Sequence, residues 1–317
     1  MTEQLAGGRR RARGWLGDRV LLVVTLGASL VAVGAMILIA WRVIRGAHLA
    51  WSTFGLSFVW GTVWDTNKSI FGAAPGLFGT AVTSAIALII AAPLSLAIAL
   101  FLTELAPRGV RTIIGTLVEM LAAIPSVVLG LWGILIMGPF VADHLEPWLH
   151  RWFGWIPIFS GEPSSSGIFV AGLILAIMVV PIVASVCREL FSSVPRELEE
   201  GALALGATRW EMVRGVILSS SKPGIAAAVI LGLGRALGEA IAVLQVSGAG
   251  WFIRSDLFNT GDTLASRIAG QYQGAGSKLQ TASLFYLAAI LLVIGLVTNA
   301  LAQLIVRRFE FQRTGGS

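Results

Sequence analysis

Six stretches of this 317-residue chain are almost unbroken runs of apolar side chains: 20–41, 79–102, 113–137, 167–187, 224–248 and 282–306. A helix of about 20 residues, rising 1.5 Å per residue, is long enough to cross a hydrocarbon layer about 30 Å thick. Only 13% of the residues are charged and 56% are hydrophobic, whereas an ordinary soluble domain carries about 25% charge. Too few polar groups remain to cover a water-soluble surface. The reading is an all-α membrane protein with six transmembrane helices. The first run is too long and uninterrupted for a signal-peptide core, and it reads as a retained anchor.

Orientation follows from counting basic residues in alternate connections. With the N-terminus inside, fifteen Lys and Arg fall on the inner side, including Arg9, Arg10, Arg11, Arg13, Arg188, Arg196, Arg307, Arg308 and Arg313, against seven outside. Both termini are therefore placed in the cytoplasm, in a multi-pass protein of the cytoplasmic (inner) membrane. The net charge of +6 is accounted for by this topology and by anionic lipid headgroups, so the partner is the bilayer and no nucleic acid is invoked. Four parts result: a basic tail over 1–19, a first span with an outer aromatic segment over 20–78, five further spans over 79–306, and a tail over 307–317. The outer connections over 45–78 and 140–163 carry Trp51, Phe54, Phe58, Trp148, Trp152 and Trp155. Such rings suit short helices at the membrane–water boundary.

The inner connection over 188–223 is too polar to span and too patterned for a loose linker. Pro195 opens a helix, with Glu197, Glu199 and Glu200 in its first turns, where acidic groups suit the helix dipole. Leu198, Ala202 and Leu205 line one face, and Gly206 ends it. Thr208, with Glu211 three residues on, caps a second short helix. The pair forms a rigid knob of the kind that docks in a partner's groove.

The chain carries no catalytic constellation. No G-x-x-x-x-G-K-[ST] phosphate loop occurs, and GAGSK at 274–278 has neither the spacing nor the inner location. Cys187 stands alone, and His48, His144 and His150 match no metal-ligand spacing. Uphill transport by such a chain needs energy from another chain or from an ion gradient.

The segment EGALALGATRWEMVRGVIL resembles the cytoplasmic coupling motif of ABC importer permeases of type I. The matching positions are Glu200, Gly201, Ala202, Gly206, Val216, Leu218 and Ser219, with Gly201, Val216 and Ser219 departing from the usual residues. LAAIPSVVLGLWG (121–133), LAIMVVPIVASVCRELFSSVP (175–195), GRALGEAIAV (234–243) and NALAQLIVRRFE (299–310) are similar to one branch, the phosphate-uptake permeases of the PstC type. So are FGLSFVWGTVWD (54–65) and FGAAPGLFGTAVTS (71–84). The resemblance implies a transport subunit without cofactor or catalysis of its own. It further implies a second homologous permease, two ATP-binding subunits docked at Glu200, Ala202, Gly206 and Leu218, and an extracytoplasmic phosphate-binding protein. Alternating access driven by those ATP-binding subunits is the implied mechanism.

GLGRALGEAIAV, residues 232–243, places Arg235 and Glu239 in an apolar run. As the twelfth residue of span five, Arg235 is expected roughly 16 Å from the inner end, near the midplane, with Glu239 one turn further out on the same face. Each such charge costs about 2.5–3.5 kcal/mol at a helix centre, so the face must turn to protein or water. Gly234 and Gly238 have the spacing that lets a neighbouring helix approach. Two readings stay open: an ion pair that locks span five, and a compensated anion contact on the transport pathway, to which the family resemblance points. Glu119 is expected near the inner boundary of span three, and Pro93, Pro125 and Pro181 are expected to bend spans two, three and four. Another oxyanion, sulfate or molybdate, is an alternative cargo. A self-sufficient ion-coupled transporter or channel is the rival class, against which the patterned inner knob and the lack of an evident six-span repeat both speak.

Overall fold

The structure, a computed structural model, describes the backbone of residues 3–314 and the side chains of residues 18–305. The basic side chains Arg9 to Arg13 and Arg307 to Arg313, on which much of the orientation rests, lie outside the described side chains. The order is α1 (Glu3–Phe54), α2 (Ser57–Trp60), a hairpin of β1 (Trp64–Asp65) and β2 (Ile70–Phe71), α3 (Ala74–Leu105), α4 (Arg108–Ala123) and α5 (Ser126–Phe153). It continues with α6 (Ile168–Ser192), α7 (Arg196–Ala204), α8 (Arg209–Gly238), α9 (Ile241–Val246), α10 (Leu264–Gln271) and α11 (Lys278–Thr314). Among the described residues six helices are long and apolar enough to cross a membrane: Asp18–Phe54 of α1, α3, α5, α6, α8 and Lys278–Ile305 of α11.

Three expected spans are redrawn. The third is not 113–137. Ile124 and Pro125 are extended (ψ 126° and 139°), so α4 ends at Ala123 and the membrane-crossing helix is Ser126–Phe153. Proline lacks the N–H that would continue the ladder and drives the preceding residue out of the helical region, so it breaks rather than bends the chain here. Pro93 and Pro181, by contrast, sit inside α3 and α6, whose helical runs continue through them. The fifth span is not 224–248: α8 begins at Arg209 and stops at Gly238, where Glu239 turns extended (ψ 121°) before α9. The first extends past residue 41 to Phe54 and closes at Gly55, φ 57°. Trp51 and Phe54 therefore ride on its C-terminal end instead of a separate surface helix. Likewise α5 carries Trp148 and Trp152 on its last turns.

Packing divides the molecule into two regions. The larger is centred on α6, the most enclosed of the six spans, which lies against α3 and α8. Gly172 lets α3 approach, since a Cβ there would come within 2.6 Å of the Ile86 side chain. The buried Ser95 hydroxyl donates to the Val180 carbonyl across the same contact, 3.1 Å. The smaller region joins the C-terminal end of α1, α2, the hairpin, α10 and α11. Phe58 stacks on Tyr286 at 4.4 Å, and the Tyr286 hydroxyl donates to the Gly55 carbonyl at 3.0 Å. In the hairpin turn, Asp65 accepts from the backbone N–H groups of Asn67 and Lys68.

Candidate functional site

The inner knob forms largely as its residues dictate. Pro195 is the residue before α7 rather than its first, with Glu197 and Glu199 in the first turn. Burial and the neighbouring Glu104 and Glu200 push the Glu199 carboxyl up, against the pull of Arg196. Gly206 ends α7 in the left-handed region, φ 88°, a conformation that costs an L side chain roughly 1–2 kcal/mol. Thr208 and Glu211 form a reciprocal capping box: the Thr208 hydroxyl accepts from the Glu211 N–H, and the Glu211 carboxylate accepts from the Thr208 N–H at 2.8 Å. The second helix is not a separate short element, however. From Arg209 it runs through one π-helical stretch, Val213–Ile217, into the fifth span.

Of the residues assigned to coupling, Glu200 and Gly206 are exposed, whereas Ala202 and Leu218 turn inward and pack against the main core. Leu198 and Leu205 are expected to share a face with Ala202 but are exposed, Leu205 almost fully, and Leu203 and Trp210 are exposed as well. The knob thus has an inner side that anchors it and an outer side that offers acidic and apolar groups together.

At the other end of α8, Arg235 and Glu239 pair at 3.2 Å, with side chains 45% and 5% exposed. They do not share one continuous helix face, because Glu239 is the first residue past the end of α8. Its carboxylate also accepts from the Ala242 N–H, 3.3 Å, at the start of α9. Glu239 therefore ties the two helices across the break, while Arg235 extends into a cavity of about 270 Å³. Leu121 and Ile124 from the end of α4, Leu129 from α5, and Met178 and Ile182 from α6 line the rest. Among the described residues that line this cavity Arg235 is the charged one. An arginine fork in apolar walls is a strong anion site, since low dielectric amplifies its charge, and a counter-carboxylate moderates it.

Two charged pairs escaped sequence reasoning. Glu119 bonds Arg188 of α6 at 2.7 Å, across 69 positions of sequence. Arg267 of α10 pairs with Asp262 at 2.9 Å, the side chains 8% and 2% exposed. The Arg267 guanidinium sits 4.2 Å from the Trp251 ring centre and 5.9 Å from Trp64. Asp262 accepts from Ser266 and from the Thr263 N–H, and burial nonetheless pushes its carboxyl up. A hint existed in the Thr263/Ser266 box that opens α10, but Trp64 arrives from the distant strand β1 and Trp251 from the connection between α9 and α10. Groups of three or more His, Cys, Asp or Glu able to hold a metal are absent among the described residues.

Residues 91–311 match the family model of the binding-protein-dependent transport system inner membrane component. The chain is 44% identical to the phosphate transport system permease protein PstC of Pasteurella multocida, covering 84% of each. It is 40% identical to the PstC protein of Haemophilus influenzae, covering 92% of this chain and 90% of that one. The fold resembles the crystal structure of a bacterial ABC transporter involved in the import of the acidic polysaccharide alginate. That match has a TM-score of 0.57 at 19% identity and covers 91% of this chain and 98% of that one. With a family match over most of its length and such relatives, the chain belongs to the binding-protein-dependent transport system inner membrane components, in the PstC group of phosphate transport permeases.

Proposed function

We propose that this chain carries inorganic phosphate across the cytoplasmic membrane as one membrane subunit of an ATP-driven importer. The observation that carries the reading is the 44% identity to a phosphate permease over 84% of the chain, and the compensated arginine in an apolar cavity fits an oxyanion cargo. In this assembly a second homologous permease completes the path. Two ATP-binding subunits dock on the exposed side of α7 and the Gly206 turn, and an extracytoplasmic phosphate-binding protein delivers cargo. Both termini lie in the cytoplasm, on the side of the knob.

The continuity of α8 supplies a mechanical link. The capped end at Thr208 and the arginine at 235 belong to one helical run. They are about 40 Å apart at 1.5 Å per residue. This helical run, with the π-helical stretch Val213–Ile217 and Pro223 inside it, carries a push at the Gly206 turn as far as Gly238. The break at Glu239 is then where the rod can tilt against α9, opening the cavity to one side and then the other. Arg235 holds phosphate during the exchange, and Glu239 keeps that hold weak enough for release.

The test is labelled-phosphate uptake by the reconstituted complex. Arg235→Gln is expected to abolish most uptake, and Glu200 or Gly206 variants to hydrolyse ATP without matching uptake. If sulfate or molybdate is taken up and phosphate is not, the cargo is misassigned. Uptake by this chain alone, without an ATP-binding subunit, would sink the coupled importer.

A further inference from the structure

We propose that Arg188 forms a second oxyanion station, between the Arg235 cavity and the cytoplasm. This rests on the transport reading above. At the inner corner of α3, α4 and α6 lies a cleft of about 430 Å³, lined by Thr103, Arg111, Arg188, Glu189, Ser192 and Ser193. Two guanidinium groups and the Ser192 hydroxyl meet there beside the Glu189 carboxylate, while Thr103 and Ser193 donate their hydroxyl protons to helix carbonyls; a pair of guanidinium groups suits a small tetrahedral oxyanion or a phosphate headgroup. Arg111 is held by donating to the Thr103 carbonyl. Arg188 is held by Glu119 at 2.7 Å, with side chains 34% and 60% exposed. An ion pair so open to solvent contributes little to stability, which leaves its presence unexplained by folding alone.

The local structure makes room for this guanidinium. Gly115 of α4 is buried, and a Cβ there would stand 2.9 Å from an Arg188 guanidinium nitrogen. The same two helices also serve Arg235: α4 lines its cavity with Leu121 and Ile124, and α6 with Met178 and Ile182. Along α6, Arg188 follows Ile182 by six residues, a rise of roughly 9 Å, in the direction of α7 and the knob. Both stations place an arginine paired with a glutamate at a cavity, and the second adds Arg111 and Glu189. Two moderate sites in series let an anion move on without a deep trap at either, as multi-site conduction requires.

The complete importer in proteoliposomes tests this, with phosphate-loaded binding protein as the probe. Arg188→Gln is expected to lower maximal uptake about 10-fold or more, with unchanged half-saturation by the binding protein. The double variant Arg188→Met/Glu119→Leu replaces the pair with apolar packing and is expected to be no better than Arg188→Gln. Wild-type uptake by either variant overturns the station, and recovery in the double variant alone makes the pair a helix clamp. The defect should be equal in phosphatidylcholine vesicles and in vesicles containing phosphatidylglycerol. A defect confined to the latter makes the cleft a lipid-headgroup site and overturns the proposal. Should Arg188→Gln fail to assemble, Gly115→Ala keeps both charges and displaces the guanidinium: reduced uptake supports the station, and unchanged uptake overturns it. Wild-type complex that takes up no phosphate defeats the transport reading itself, whereas wild-type uptake with indifferent variants defeats the second station alone.

Discussion

Arg267 and Arg235 are each paired with a single carboxylate, yet their surroundings are opposite. Arg267 is closed in, with Asp262 on one side and the Trp251 and Trp64 rings beside it, and Asp262 is itself saturated by Thr263 and Ser266. Arg235 leaves nearly half its side chain open to a cavity, and only its partner Glu239 is buried. A fully enclosed pair is rigid, because parting the two charges leaves each desolvated and unpaired. A half-open pair can trade its carboxylate for another anion at small cost. The Arg267 region is therefore closed and rigid, and the Arg235 cavity is the one that exchanges a ligand under the proposed function.

The largest expected effect breaks the closed pair. Arg267→Met strands Asp262 without a counter-charge and should cost about 3–5 kcal/mol, read as a lower thermal unfolding midpoint. Asp262→Leu/Arg267→Met should recover most of that stability; failure to recover would mean the pair does more than fill a buried site. Next, Arg235→Gln/Glu239→Gln leaves a neutral hydrogen-bonding pair at the break. Phosphate uptake is expected to fall roughly 10- to 100-fold, the equivalent of about 1.5–3 kcal/mol, with a smaller unfolding shift than Arg267→Met gives. Equal unfolding shifts would erase the distinction between the two arginines.

Smaller effects bear on the drive to the open pair. Gly206→Ala meets no atom within 4 Å, so its cost is conformational alone, about 1–2 kcal/mol at φ 88°. Under the proposed function ATP-coupled uptake should fall by more than the stability change explains, because this turn is where the ATP-binding subunits are proposed to dock. Thr208→Ala removes the cap and should cost about 1 kcal/mol, seen as faster amide exchange in the first turn of α8. Protection that stays at the wild-type level would show that the capping box does not hold that turn.

Much of this architecture is legible before folding. Long apolar runs become membrane helices because only a helix satisfies every backbone group in lipid. The Thr208/Glu211 box and the Gly206 stop are local, so their residues declare them. Arg235 and Glu239 stand out because charge is rare in such a run. The break at Glu239 is not legible: no proline marks it, and the apolar pattern continues into α9. Glu239 accepting from the Ala242 N–H and the packing of α9 on α5 place it there. Pro125 was visible, but whether it bends or severs a helix depends on what packs around it.

Residue chemistry alone thus determined the number of helical crossings, the capped knob and the charged pair of Arg235 and Glu239, though not where three of the spans begin and end. Tertiary structure decided which arginine is closed and which is open. That difference depends on distant groups, Trp64 and Trp251 around Arg267, and Leu121, Met178 and Ile182 around Arg235. Burial and dielectric are properties of the assembled neighbourhood, so an arginine–carboxylate pair is enclosed in one place and half open to a cavity in the other.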